Sequence, residues 1–296
     1  MNNLPSSFKS PKGLAKYMAA YEAGTQLWPL AYETMDIPGR FGCTHLVASG
    51  PKNAPPMVLL HGYFATSTMW AENIADFSRD YRVYALDVMG QPGKSIPDQP
   101  IRSREDFVEW LTSILDALKI DRVTLVGMSY GGWLTLNYAI AAPERLNKIV
   151  LLSPAASFLP LVQQFNLGAM AMILLSSRFA VNRFMGWMTY KENLKNPHLL
   201  KTYNNMVDQM YLGLRHYRMQ AGVRPEVYSD EELQGLQVPV LLLIGEQEVI
   251  YDPSASIERA VRLIPRVEAA LIPNASHDMS FSQARLVDEH ILKFLG

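Results

Sequence analysis

Six short runs rich in Val, Leu and Ile recur along the chain, each followed by a longer amphipathic segment, and this alternation leaves few folds open. The runs are MVLLHG from Met57, YRVYALD from Tyr81, VTLVGMS from Val123, KIVLLSP from Lys148, PVLLLIGE from Pro239 and VEAALIP from Val267. A strand covered on both faces reads as a continuous apolar run, and parallel neighbours need a long crossover that a helix supplies. The pattern predicts an α/β fold: a mostly parallel sheet with helices on both faces. Ahead of it, YETMDIP and GCTHLVAS, joined by GRF, predict an antiparallel hairpin at one edge, which brings the expected sheet to eight strands. No internal repeat or low-complexity tract interrupts the pattern.

One segment does break it. About eighty residues separate the fourth run from the fifth, far more than such a fold needs for a connection. Their content is helical and apolar, as in FNLGAMAMILLSSRFAVNRFMGWMTY and LLKTYNNMVDQMYLGLRHYRM. The stretch MAMILL is too short to span a bilayer. A helical subdomain burying its own core is one reading, since methionine at helical spacing is usually just that. A cap over an active site is the other, and it is preferred because the insertion follows the end of a strand, where such sheets gather ligands. On this reading residues 155–228 form the cap, and 1–154 with 229–296 form the core. Phe165, Met170, Met188 and Met210 of the cap, with Phe64 and Met128 of the core, are then candidates to line an adaptable apolar substrate wall.

Composition narrows the setting. The 296 residues are 49% hydrophobic with a formal net charge of -1, enough for one large core or two modest ones and without the basic excess of a nucleic-acid binder. The start MNNLPSSFKSPKGLAKYMAAYEAG is polar and then helical, unlike a secretory signal, so a cytoplasmic protein without a membrane span is expected. A monomer or small homo-oligomer fits this composition. The single cysteine, Cys43, makes neither an intrachain disulfide nor a zinc site, and FGCTHL places it in a strand as a small buried residue.

Within VTLVGMSYGGW, Ser129 stands between Gly127 and Gly131 in a G-x-S-x-G pentapeptide. Glycines two before and two after the serine permit a sharp, strained turn from strand to helix that side chains would obstruct. The turn lifts the Ser129 hydroxyl above the sheet edge and aims the first N–H groups of the helix at the same point. A helix-capping serine in a glycine turn is the plain alternative, but the strand VTLV before it and the helix GGWLTLNYAIAA after it supply the context of a nucleophile.

A serine hydroxyl needs a base within hydrogen-bond reach. Of six histidines, His45 lies in the edge hairpin, His198 and His216 in the insertion, and His290 near the end of the last helix. His61 opens HGYF directly after a strand, where it is expected to hold that loop by hydrogen bonding. His277, in IPNASHDMSF between the last strand and the last helix, is left as the base. The base in turn needs a carboxylate. None follows KIVLLSP, whereas Glu246, Glu248 and Asp252 follow PVLLLIG. Asp252 precedes Pro253 and reads as a helix N-cap, so Glu248 is the first choice for the acid.

These landmarks, LLHGYFATSTMW, YALDVMGQPGKS, VGMSYGGW, LLLIGEQEVI and PNASHDMSF, resemble the α/β-hydrolase family over nearly the whole chain, and the family's order of serine, acid, histidine is kept. The cap length, LDVMGQPGKS and the Glu of GEQEVIYDP are similar to bacterial carboxylesterases of the naproxen-esterase type. The loop HGYF departs from the HGGG esterases and the HGGPG iminopeptidases, and Glu replaces the commoner Asp at the acid. The resemblance implies an oxyanion hole from the backbone N–H groups of Tyr63 and Tyr130, with Phe64 as the alternative to Tyr63. It implies cleavage of a small-molecule ester through an acyl-enzyme on Ser129, with no metal and no organic cofactor. Serine at the nucleophile position argues against dehalogenase or epoxide hydrolase chemistry, which uses aspartate there. A carbon–carbon bond hydrolase or perhydrolase of the same fold, or a slow-turnover ligand-sensing module, are the other functions this constellation could serve.

Overall fold

All six apolar runs are strands of a single sheet. The computed structural model describes residues 7–219 and 222–296, so the first residues of the polar start and two residues of the insertion lie outside the described residues. The edge hairpin is β1 (Glu33–Gly39) and β2 (Gly42–Ser49), followed by β3 (Pro56–Leu60), β4 (Arg82–Leu86), β5 (Ile96–Pro97), β6 (Val123–Met128), β7 (Leu146–Leu152), β8 (Val240–Gly245) and β9 (Val267–Ile272). Eight strands lie in the order β1-β2-β4-β3-β6-β7-β8-β9, antiparallel from β1 through β2 to β4 and parallel from β4 onward. The ninth, β5, pairs with β2 through Gly42 and Cys43. Two residues carry no readable period, which is why the sequence does not announce it.

Helices α1 (Pro11–Thr25), α2 (Ile74–Asp80), α3 (Arg104–Ala117) and α4 (Tyr130–Ala141) precede the insertion. The insertion carries α5 (Gln163–Leu175), α6 (Arg178–Trp187) and α7 (Pro197–His216). After it come α8 (Asp230–Gln234), α9 (Pro253–Leu263), α10 (Met279–Ser282) and α11 (Ala284–Leu295). The period-2 alternation of a strand sends its neighbours to opposite layers. Val58, Leu60 and Leu125 join one apolar layer with Phe107 and Trp110 of α3 and Trp133 of α4. Met57, Leu59 and Val126 join the other with Phe77 of α2 and Val287 and Ile291 of α11. Each such fully buried Leu or Val contributes about 1.5–3 kcal/mol, which makes this two-sided sheet the rigid base of the molecule.

Two smaller clusters organise the insertion. Met172, Val181, Phe184, Met185, Tyr203, Val207 and Met210 pack together and reach the sheet domain through Phe64 and Phe281. Phe8, Tyr17 and Tyr21 pack with Tyr217, so α1 lies against the end of α7 although most of the chain separates them. Cys43 is half-buried, and its neighbours Thr44 and His45 are the more deeply buried residues of β2. No helix among the described residues is long and apolar enough to cross a membrane.

The strand order reverses at β3. The chain goes from β3 to β4 on one side and later inserts β6 on the other, so β3 and β6 are neighbours whose following loops open a crevice at their carboxyl ends. The loop after β3 begins HGYF, and Ser129 follows β6.

Candidate active site

Ser129 occupies the turn between β6 and α4 with φ of 54°, in the left-handed region that a side chain ordinarily avoids. The close packing around it explains both glycines. A Cβ on Gly127 would lie 2.2 Å from the Gly131 carbonyl oxygen, and one on Gly131 would lie 2.1 Å from that of Leu60. The turn is further fixed by its backbone: the Ser129 N–H donates to Leu152 O (2.9 Å), and Ser129 O accepts from Trp133 and Ala155 (both 3.0 Å).

Three side chains from three distant stretches meet here. His277 Nε2 lies 2.8 Å from Ser129 Oγ, and His277 Nδ1 lies 2.8 Å from Glu248 Oε2. Glu248 is buried, and its Oε1 accepts the N–H groups of Val249 (2.9 Å) and Ile250 (3.2 Å). Burial alone would push this carboxyl up. The His277 imidazole, with hydrogen bonds from His277, Ser153 and the Ile250 N–H, outweighs that and holds it below the ordinary carboxylate value. An ionised Glu248 can only accept, so Nδ1 carries the imidazole proton and Nε2 is left to accept from the Ser129 hydroxyl. That is the protonation pattern in which a histidine can deprotonate a serine.

The other acids stand apart. Glu246 is exposed, and Asp252 accepts from the Ala255 N–H (2.9 Å) as the N-cap of α9, with Pro253 in the first turn. His61 holds its loop: Val88 N–H donates to His61 Nε2 (2.9 Å) and Nδ1 donates to Gly62 O (2.8 Å). His45 bonds Asp36 in the edge hairpin, and His198 bonds Glu72. Among the described residues, no group of three or more His, Cys, Asp or Glu side chains is arranged to hold a metal ion.

The loop after β3 separates the two oxyanion candidates. The Phe64 N–H donates to Gln91 Oε1 (3.2 Å), and Phe64 has φ of 61°. Tyr63 N–H and Tyr130 N–H, by contrast, make no hydrogen bond to a described residue. The Tyr63 ring sits edge-on against both Phe64 and Tyr130. Gln91, buried beside this loop, and Ser153, at the end of β7 against Glu248, are supporting residues that sequence reasoning missed. The first lies inside a quoted landmark, LDVMGQPGKS; the second had no signal beyond its place at a strand end.

The candidate wall residues divide. Phe64 and Met210 are buried in the insertion cluster, and half-buried Phe165 and Met188 pack both on it and on the sheet layer. Met128 is buried in the opposite layer, beside Val126. Met170 is not brought to the others: it is 53% exposed, on the outward side of α5. Phe281, four residues after His277, packs with Phe64 and extends the set.

A family model described as alpha/beta hydrolase fold matches residues 55–284. The chain is 40% identical over 298 residues to the uncharacterized carboxylesterase nap of Bacillus subtilis (strain 168), covering 100% of this chain and 98% of that protein. It is 36% identical to carboxylesterase YbfK of the same organism, covering 95% and 93%. The crystal structure of naproxen esterase from Bacillus subtilis superposes with a TM-score of 0.88 at 38% identity, over 97% of this chain and all of that one.

Proposed function

The chain belongs to the alpha/beta hydrolase fold family, and from that premise we propose that it hydrolyses carboxylic esters through an acyl-enzyme on Ser129. The observation that carries this reading is the unbroken line from Ser129 Oγ through His277 to the buried Glu248, in two steps of 2.8 Å. The two full-length carboxylesterase relatives support the choice of ester among the substrates such a line can serve.

In the first half-reaction His277 Nε2 takes the Ser129 proton while Oγ bonds to the ester carbonyl carbon. The carbonyl oxygen becomes an oxyanion, which the N–H groups of Tyr63 and Tyr130 receive; the engagement of Phe64 N–H by Gln91 favours Tyr63 as the first donor. Collapse expels the alkoxide, which takes the proton back from His277 and leaves as alcohol. In the second half, water loses a proton to His277, adds to the acyl carbon, and Ser129 leaves with that proton as the acid is released. Glu248 keeps its charge throughout and stabilises the imidazolium.

Residues 155–228 act as a cap whose inner side, with Phe64, Phe165, Met188, Met210 and Phe281, receives the apolar part of the ester. The reading is of a cytoplasmic enzyme, monomeric or a small homo-oligomer, that needs no cofactor. A panel of p-nitrophenyl esters tests it directly. Ser129→Ala is expected to lower kcat by roughly 10⁴ to 10⁶ and to abolish labelling by a fluorophosphonate. Retained turnover above a tenth of wild type, or labelling at another residue, would refute the assignment.

A further inference from the structure

Helix α5 is apolar on two opposite faces, and only one of them is covered. Phe165, Gly168, Ala169 and Met172, spaced i, i+3, i+4, i+7, form the inner stripe. It packs on α6 so closely that a Cβ on Gly168 would lie 2.9 Å from the Phe184 ring. Leu167, Met170, Ala171 and Leu174 repeat the same spacing on the far side. Leu174 is 76% exposed, Leu175 66% and Leu167 51%. Helix α6 carries an outward stripe of its own, Phe179, Arg183 and Trp187, spaced i, i+4, i+8; Phe179 is 75% exposed and Trp187 37%. A soluble surface helix ordinarily turns a polar side to water, and a contiguous apolar face of this kind marks a docking surface.

The charges that the hairpin itself carries have one sign. No Asp or Glu occurs between Glu144 and Glu192, and the α5–α6 hairpin carries only Arg178 and Arg183. Arg178 is held by Asp208 of α7, whereas Arg183 has no acidic partner among the described residues. Leu, Phe and Trp with arginine, and no acid within the hairpin itself, is the composition of a helix that lies in the boundary between lipid headgroups and acyl chains. We propose that the outer face of the α5–α6 hairpin docks on the surface of an anionic lipid bilayer, inserting Leu167, Leu174 and Phe179 and setting Arg183 among the headgroups. This docking does not depend on the role given to Ser129. With that role it brings the cap to the phase where apolar esters accumulate.

The experiment is vesicle flotation of the full-length wild-type protein with phosphatidylglycerol/phosphatidylcholine vesicles and with phosphatidylcholine alone, at low and high salt. Preferential flotation with the anionic vesicles, weakened by salt, is expected. Leu174→Ser combined with Phe179→Ser should lower partition at least about tenfold, and Arg183→Gln should reduce the anionic preference about fivefold. Both variants should keep their thermal transition and their turnover of a water-soluble ester without vesicles, so a loss of binding is not a loss of fold. Failure of the wild type to float overturns the proposal, as does flotation that both variants leave unchanged. Light scattering distinguishes the competing occupant: a wild-type dimer that the double serine variant converts to monomer assigns the face to a second copy and overturns the bilayer reading.

Discussion

At the scale of single residues, the acid is the most exposed point of the reading, because glutamate carries one methylene more than aspartate. Both Glu248 oxygens are committed, Oε2 to His277 and Oε1 to the Val249 and Ile250 N–H groups. Glu248→Asp cannot span both sets of partners from the same backbone, and a misplacement near 1 Å is expected to cost on the order of 10²-fold in kcat/KM. Glu248→Gln keeps the length but loses the charge and sets an amide against donors, with an expected loss nearer 10⁴-fold. Asp252→Asn, which keeps its cap, should stay within about twofold of wild type. Measuring kcat/KM of all three on one activated ester checks the ranking; a crippled Asp252→Asn beside an active Glu248→Gln would move the acid to Asp252. Gln91 makes a second residue-scale prediction. Gln91→Leu leaves the Phe64 N–H without its acceptor and frees the loop that presents Tyr63, so kcat should fall about tenfold while KM for a small ester holds. Gln91→Glu, which keeps an acceptor oxygen, should recover most of that loss.

At the scale of elements, the return path of the insertion is tied to the nucleophile helix. The Tyr130 hydroxyl donates to Val223 O (3.1 Å) and Trp133 Nε1 to Glu226 O (2.9 Å), while the Tyr228 hydroxyl donates back to Trp133 O (2.9 Å). Helix α7 is anchored as firmly, with Gln209 bonding Thr66 and Thr68 after the HGYF loop and Asn205 bonding Ala20 O of α1. Helix α7 and the return path of the insertion are thus tied to α1, to the segment after the HGYF loop and to the nucleophile helix. Selectivity should follow from the inner side chains of the insertion. Phe165→Ala and Met210→Ala should lower kcat/KM for a medium-chain acyl ester relative to acetate by about tenfold, since each CH₂ that loses its cover is worth about 0.8 kcal/mol. A ratio unchanged across an acyl-length series would remove these residues from the substrate wall.

At the scale of the whole molecule, one buried acid links stability to pH away from the crevice. Asp288 of α11 accepts from Asn73 Nδ2 (2.8 Å). Its second oxygen and Asn73 Oδ1 have no partner, so a proton on Asp288 can join the two. Burial is the main cause that raises this carboxyl from 3.8 to about 8. The sign follows from linkage: the folded form holds a proton that the unfolded form has released. The stability is therefore complete below the unfolded value near 4 and is lost as pH rises, fully so above about 8. Asp288→Asn, which keeps the paired geometry without a titrating group, should flatten this slope. Chemical denaturation from pH 5 to pH 8 should show wild type losing up to about 1.4 kcal/mol per pH unit relative to the variant. Parallel curves would show that Asp288 is ionised in the folded state.

What the chain determined by itself was whatever depends on local period and local sterics. The six apolar runs and the hairpin GRF turn mark every strand but β5, because a strand covered on both faces must be apolar at every position and so reads as an unbroken run. The elbow was legible too, since a Cβ at Gly127 or Gly131 has nowhere to go. The capping aspartate announced itself by the proline after it. Tertiary structure alone decided what depends on distant partners. That Phe64 N–H is spoken for by Gln91, that Ser153 stands against Glu248, and that α1 packs on α7 are matters of which residues long crossovers bring together. The same holds for Met170 and Phe165: both are apolar residues of one helix, and only the packing of α5 on α6 determines which of them turns inward.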